Sequence, residues 1–279
     1  MTTVTADSQA DDKHVIMEKM IGGKFMKHMV LIHGTWCDGA VWGEFATKLE
    51  KMGIIVHTPS LRYHDLPYEQ VMEKVGAVSL TDYADDLVAL VESLEEPPLL
   101  LGHSLGCLLA QMVAERTEIA GMILMGPAPT ADIFALYPTM IRCFIRHFLR
   151  WGFWKKPMPP YKDEFFTYCL NVQDPSLKED IFKTLVPESG KVYTQMAFPF
   201  FDKSRAGYVD FSKISGPVLV ITGSEDKMTV SAIARKTAQN YAESVLVSLT
   251  GADHMYESGK FQDKTLSVIR AWLTEKNFI

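Results

Sequence analysis

Six short apolar runs, separated by stretches of helical spacing, organise the chain from Lys27 onward. Lys27–Ile32 (KHMVLI), Ile54–His57 (IIVH) and Leu99–Leu101 (LLL) read as buried strands, and Gly121–Met125 (GMILM), Val218–Thr222 (VLVIT) and Val245–Leu249 (VLVSL) continue the series. After the first strand, Trp42, Phe45, Leu49 and Met52 recur at helical spacing until Gly53 breaks the pattern. From Ser79 to Leu94, the residues Tyr83, Leu87, Leu90, Val91 and Leu94 line one face. Ser79 offers the starting cap there, and Pro97-Pro98 close the segment. Leu108, Leu109, Met112 and Val113 mark a helix directly behind the third strand, and Leu266, Ile269, Trp272 and Leu273 mark the last helix. Near-continuous apolar strands alternating with helices require a parallel sheet covered on both faces, and right-handed crossovers make it doubly wound. The predicted fold class is therefore α/β, with a mostly parallel sheet.

The connection between the fourth and fifth strands is too long for a loop. Residues 129–209 carry helical patterns punctuated by Pro157, Pro159-Pro160, Pro175, Pro187 and Pro199, which predicts a helical cap insertion. The core is then expected over residues 26–128 and 210–279. Residues 1–25 are polar and read as a mobile N-terminal tail, with Val15–Met17 the one place for an extra short strand.

Composition narrows the class of function. Of 279 residues, 47% are hydrophobic and 22% charged, the balance of a soluble globular protein. The formal net charge is −6 and no long basic run appears, so neither nucleic acid nor an anionic membrane is an expected partner. Cys37, Cys107, Cys143 and Cys169 form no CxxC or CxxH pattern, so metal and redox-motif chemistry have no support and reduced thiols are expected. The N-terminus lacks a basic start followed by an apolar stretch, and no run reaches membrane-spanning length; a cytoplasmic location is the default.

Chemistry concentrates at three strand ends. Gly102-His103-Ser104-Leu105-Gly106 is a G-x-S-x-G pentapeptide between a predicted strand and a predicted helix. A nucleophile there sits on a strained turn, where a side chain on either flanking glycine would strike backbone. The helix N-terminus adds free N–H groups where negative charge develops. Gly223-Ser224-Glu225-Asp226 follows the fifth strand and Gly251-Ala252-Asp253-His254 the sixth, so Ser, Asp and His come in the chain order this architecture uses. His254 is the expected base and Asp226 its orienter; Glu225 and Asp253 are the competing carboxylates, and a helix-starting acid is the plainer reading of Asp226. In the loop His33-Gly34-Thr35-Trp36, the N–H of Thr35, with Trp36 as alternative, is expected to pair with the N–H of Leu105 as an oxyanion hole. Such donors contribute about 3–4 kcal/mol each to the transition state. Gly34 admits close backbone approach, while His33 and His103 read as structural.

Together, IHGTWCDGAVW, LLLGHSLG, ITGSEDKM and GADHM resemble the α/β-hydrolase superfamily from about Met26 to the C-terminus. Within it the chain is similar to the serine esterase and hydroxynitrile-lyase branch. It departs from that branch by an extra residue in the opening loop and by Asp38 where His would stand. A compact six-stranded core with no hairpin before Met26 also fits that resemblance. The lyases place Thr after the loop His and Lys after the catalytic His; Gly34 and Met255 here put the resemblance on the esterase side. Epoxide hydrolases and haloalkane dehalogenases use an Asp nucleophile, which Ser104 opposes.

The expected activity is therefore cleavage of a carboxylic ester through an acyl-enzyme, with no cofactor and no metal. A lactonase, thioesterase or C–C bond hydrolase would use the same residues; an acyltransferase or a non-catalytic receptor on the same fold are the other classes. The cap is rich in large aromatics such as Phe144, Phe148, Trp151 and Phe198, many of them expected as ordinary core and the rest as a pocket roof. A small hydrophobic substrate is the expected partner, contacted by Gly34, Trp36 and Met255, and a homodimer is the one assembly considered. Arg142, Arg146 and Arg150 repeat at four-residue spacing; a solvated face is the plain reading and carboxylate or phosphate recognition the sharper one.

Overall fold

The computed structural model describes residues 27–279, together with the backbone of Met20–Ile21 and Lys24–Phe25. Those two pairs form an antiparallel ladder, β1 (Met20–Ile21) with β2 (Lys24–Phe25), which corrects the expectation of no hairpin before Met26. The missed signal is Gly22-Gly23 between them, a dipeptide suited to two-residue hairpin turns; the flanking strands are too short to show alternation. Part of the expected 1–25 tail is thus paired, while Val15–Met17 lies outside the described residues.

The six predicted strands form one parallel sheet. They are β3 (Lys27–Ile32), β4 (Ile54–His57), β5 (Leu99–His103), β6 (Gly121–Met125), β9 (Val218–Gly223) and β10 (Ser244–Leu249). Their spatial order is β10-β9-β6-β5-β3-β4, and every neighbouring pair is parallel. Alternation along each strand builds two cores. Met29, Leu31, Leu99, Leu101, Ile123 and Ile221 pack on one face against α1 (Gly43–Glu50) and α10 (Gln262–Glu275). Val30, Ile32, Leu100, Leu124 and Val220 face α3 (Leu80–Glu92), α4 (Leu105–Ala114) and α9 (Ser231–Gln239). The expected cap of α3 is present as a full capping box: Ser79 accepts from the Asp82 N–H, and the Asp82 carboxylate accepts from the Ser79 N–H. A further helix, α2 (Tyr68–Lys74), precedes α3.

From β3 the chain first adds β4 on one side, then crosses to β5 on the other. That reversal opens a crevice at the carboxyl ends of β3 and β5, the place where open α/β sheets form sites. Among the described residues, no helix is long and apolar enough to cross a membrane.

Between β6 and β9 the chain forms α5 (Pro138–Phe148), α6 (Lys162–Tyr168), α7 (Pro175–Thr184) and α8 (Gly190–Ala197). A short antiparallel ladder of β7 (Pro157–Met158) and β8 (Glu188–Ser189) ties this segment together. Buried polar contacts dock it onto the sheet end. Trp36 Nε1–H donates to the Met158 carbonyl at 2.7 Å, and the Trp36 carbonyl accepts from the Val186 N–H at 2.8 Å. Tyr83 donates to Glu188 at 2.8 Å, and His64 Nε2 faces the other oxygen of that carboxyl at 3.4 Å. Burial opposes the charge on His64, but Glu188 overrides it and the imidazole pKa is raised.

Removing one partner of such a buried pair leaves the other uncompensated, at about 3–5 kcal/mol. Glu188→Ala is therefore expected to lower thermal stability by several degrees, and an unchanged Tm would show that the docking does not depend on this carboxyl. Because the folded pKa of His64 lies above 6.5, its share of that stability is complete below pH 6.5 and disappears as pH rises through the folded value.

Candidate active site

Ser104 links β5 to α4 with φ 52° and ψ −117°, a conformation that L residues rarely adopt. Its neighbours explain the glycine spacing. A Cβ on Gly102 would lie 2.4 Å from the Gly106 carbonyl oxygen, and one on Gly106 would lie 2.0 Å from that of Ile32. Both would collide with backbone, so the turn closes only with glycine on each side. Gly106→Ala is accordingly expected to yield insoluble or unfolded protein; recovery of a folded variant with normal far-UV circular dichroism would refute the packing argument. The turn itself is held by the Ser104 N–H donating to Met125 and by the Ser104 carbonyl accepting from Ala128.

The loop after β3 approaches this turn from the other side of the crevice. A Cβ on Gly34 would sit 3.1 Å from Ser104 Cβ, so the absence of a side chain sets how near the loop comes. Gly34 itself lies behind the cavity lining, while Thr35 and Trp36 form part of it. The Thr35 hydroxyl and the Tyr193 hydroxyl are 2.9 Å apart, joining the loop to α8. Trp36, with φ 65°, stacks on Phe144 and packs edge-on against Phe165. His33 braces the loop: its Nε2 accepts from the Leu61 N–H at 3.0 Å, leaving Nδ1–H to donate to the Gly34 carbonyl at 2.9 Å. Burial, with His64 nearby, pushes the His33 pKa down to about 3, which keeps it neutral in that tautomer.

Asp226 and His254 meet as the sequence predicts. His254 Nδ1 lies 2.9 Å from Asp226 Oδ2, with both residues buried. Asp226 also accepts from the N–H groups of Met228 and Thr229 at 2.8 and 2.9 Å, from the Thr229 hydroxyl at 2.9 Å, and from the Tyr256 hydroxyl. Burial alone would raise the carboxyl pKa; the charge of His254 and these donors lower it. Burial likewise lowers His254, but Asp226 overcomes it and the imidazole pKa is raised.

The competing carboxylates point elsewhere. Glu225 is exposed, and Asp253 binds the Val172 N–H and Gln173 Nε2 of the inserted segment at 3.1 and 2.8 Å. The two readings of Asp226 coincide, since its Oδ1 caps the turn before α9 while its Oδ2 holds the imidazole.

Several participants were not read from the sequence. Thr229 carried a usable signal, because an Asp often accepts from backbone two and three residues on. Tyr256 and Glu257 carried none: they are placed by the turn that follows His254. Tyr256 donates to Asp226 and accepts from the Gly223 N–H at 3.0 Å, bridging the two strand ends. His103 Nε2–H donates to the His254 carbonyl at 2.8 Å, and burial next to His254 holds its pKa at about 3. Its Nδ1 faces the Glu257 carboxyl at 3.4 Å. Burial raises Glu257 to about 7, so below neutral pH the pair is a neutral imidazole against a protonated carboxyl rather than an ion pair.

A raised acid binds its proton longer in the folded state than in the unfolded one. Through this group alone, stability is expected to fall by about 3 kcal/mol as pH rises from 4.5 through 7, against the opposite contribution of His33 and His103, whose depressed pKa values add stability up to about pH 6.5. Glu257→Gln removes that contribution and should make the slope of stability against pH more positive over this range; an unaltered slope in denaturant titrations would count against the assignment.

Ser104 borders two small cavities that also share Phe144, Tyr193 and Met228 in their linings. The one of about 20 Å³ reaches towards His254 and Met255, and the one of about 30 Å³ reaches towards Leu105, Ala128 and Ala135. Each holds about one or two waters, so a larger guest requires side chains of the inserted segment to move. The arginine repeat lies away from both cavities. Arg146 bonds Glu164 at 2.8 Å and lies over the Tyr161 ring, while Arg142 and Arg150 are exposed. All four cysteines are free and buried, and no group of His, Cys, Asp or Glu among the described residues is arranged to hold a metal ion.

Known proteins share this arrangement at the level of the fold. A polyneuridine aldehyde esterase mutant superposes with a TM-score of 0.66 at 16% identity, over 88% of this chain and 99% of the other. A monoacylglycerol lipase from Paleococcus ferrophilus gives 0.62 at 20% identity, over 89% and 94%. In sequence, Esterase EstD of Thermotoga maritima is 31% identical over 115 residues, a match that spans 36% of this chain and only 26% of the esterase. The family model described as "Alpha/beta hydrolase family" matches residues 29–258. Strand order, the strained serine turn and that match lead to one placement: the chain belongs to the alpha/beta hydrolase family.

Proposed function

We propose that the protein is a serine hydrolase that cleaves a carboxylic ester of a hydrophobic substrate through an acyl-enzyme. The observation that carries this reading is the Asp226–His254 pair set against a cavity bordered by a serine in strained conformation at a helix N-terminus. Ser104 Oγ attacks the ester carbonyl carbon while His254 Nε2 takes its proton. The carbonyl oxygen becomes an oxyanion facing the N–H groups of Leu105 and Thr35, neither of which donates elsewhere among the described residues. The tetrahedral intermediate collapses, the ester C–O bond breaks, and the leaving alkoxide receives the proton from His254. Water then attacks the acyl-enzyme carbonyl, passes a proton to His254, and the carboxylic acid departs as Ser104 regains its hydrogen. Asp226 holds Nδ1–H throughout and stabilises the imidazolium. On this reading residues 129–209 act as the cap that roofs the site, and water-sized cavities around Ser104 keep bulk solvent from the acyl-enzyme.

A fluorophosphonate probe tests the assignment directly. Folded protein is expected to gain one adduct, located at Ser104 by peptide mass spectrometry, and to hydrolyse p-nitrophenyl butyrate. Absence of the adduct together with absence of ester cleavage would overturn the proposal.

A further inference from the structure

The 30 Å³ cavity on the Leu105 side of Ser104 is walled in part by Ala135 and Met196. The same two residues also form the inner wall of a surface groove of about 300 Å³, whose outer wall includes Phe134, Phe198, Phe200 and Phe201. Cavity and groove thus adjoin, sharing the methyl group of Ala135 and the thioether chain of Met196 in their linings. Methionine is the unbranched apolar side chain best able to swing aside.

The outer wall is unusual for a protein surface. Phe134, Phe200 and Phe201 are 59%, 93% and 81% exposed. Single exposed apolar residues need no explanation, but three phenylalanines along one groove do. The groove has about ten times the volume of the inner cavity. His254 borders the other cavity, where it protonates the leaving oxygen; that side suits the alcohol, so the Leu105 side is left for the acyl group.

We propose that this groove is the outer half of an acyl-binding channel, and that the substrates are esters of unbranched medium-chain to long-chain carboxylic acids. The inference rests on Ser104 being the nucleophile. The first carbons of the chain occupy the inner cavity, displace Met196, and the remaining methylenes lie along Phe198, Phe200 and Phe201. Ala135 and Met196 are then the residues that set chain-length specificity.

Hydrolysis of p-nitrophenyl esters from acetate to decanoate, each kept below its aggregation concentration, tests this on the full chain. kcat/KM is expected to rise with acyl length to at least eight carbons, by up to about fourfold per buried methylene. Ala135→Phe, which plugs the shared wall, should lower the octanoate-to-acetate ratio of kcat/KM at least tenfold. The exposed double variant Phe134→Ser with Phe200→Ser has little to lose in folding and should lower the decanoate-to-acetate ratio several-fold. A profile that is flat or falls from acetate, or ratios unchanged in both variants, would overturn the channel. So would a rate that rises only once the ester aggregates, which points to docking on a lipid surface instead. If short esters are cleaved and Ser104 is labelled, those results remove the channel alone; no labelling and no cleavage would remove the serine mechanism with it.

Discussion

Replacing Ser104 by alanine is expected to lower kcat for any ester the protein cleaves by about a millionfold, the scale seen when a triad nucleophile is removed. The change deletes one oxygen, and the remaining methyl group leaves the turn's backbone bonds to Met125 and Ala128 in place. Thermal stability is therefore expected to stay within a few degrees, so that lost activity cannot be assigned to lost folding. Binding and the oxyanion donors survive in this variant, and a residual rate about a thousandfold above water would be theirs. A Ser104→Ala protein retaining more than a few per cent of its activity would show that another group, or an activated water, performs the attack.

Asp226→Asn is expected to cost about ten-thousandfold in kcat and to move the pH profile as well. In the proposed mechanism the active form of His254 is neutral, so kcat/KM is expected to rise as pH passes upward through its pKa, which lies above 6.5 because the Asp226 charge outweighs burial. With asparagine the charge is gone and burial remains, so the acid limb moves to lower pH. The asparagine amide also presents a donor to Nδ1 and favours the wrong tautomer.

Stability follows the same charges. The depressed Asp226 pKa contributes stability above pH 3.8 that is lost as pH falls through the folded value. The raised His254 pKa contributes stability below pH 6.5 that is lost as pH rises through its own folded value. The pair stabilises the fold most between those limits, and the variant should lose that maximum. An acid limb that stays fixed in Asp226→Asn would mean that another carboxyl sets the His254 pKa. Glu257 and Asp253, both of which act on that imidazole, are then the candidates.

Much of this molecule was legible in one dimension. The parallel sheet follows from near-continuous apolar runs, fully buried in the central strands β5, β6 and β9, because a strand covered on both faces cannot alternate with polar residues. Ser104, Asp226 and His254 were readable because each directly follows a strand, and strand ends of one parallel sheet converge on one edge. The glycines around Ser104 were readable for a local reason: the turn leaves no room for a Cβ.

Tertiary structure alone decided what surrounds that centre. Glu225, Asp226 and Asp253 are equivalent as text; Asp226 holds the imidazole because Glu225 turns to solvent and Asp253 turns to Val172 and Gln173. Tyr256, His103 and Glu257 have roles set by contacts across strands that no spacing encodes. The hairpin at Met20–Phe25 escaped because two residues per strand are too few to carry a period. Sequence placed Ser104, Asp226 and His254 at strand ends, since backbone geometry there is a local property. The space around Ser104, lined by Phe144, Tyr193 and Met228 within and by Ala135 and Met196 towards the surface, is set by packing between distant segments, and only the folded chain determines it.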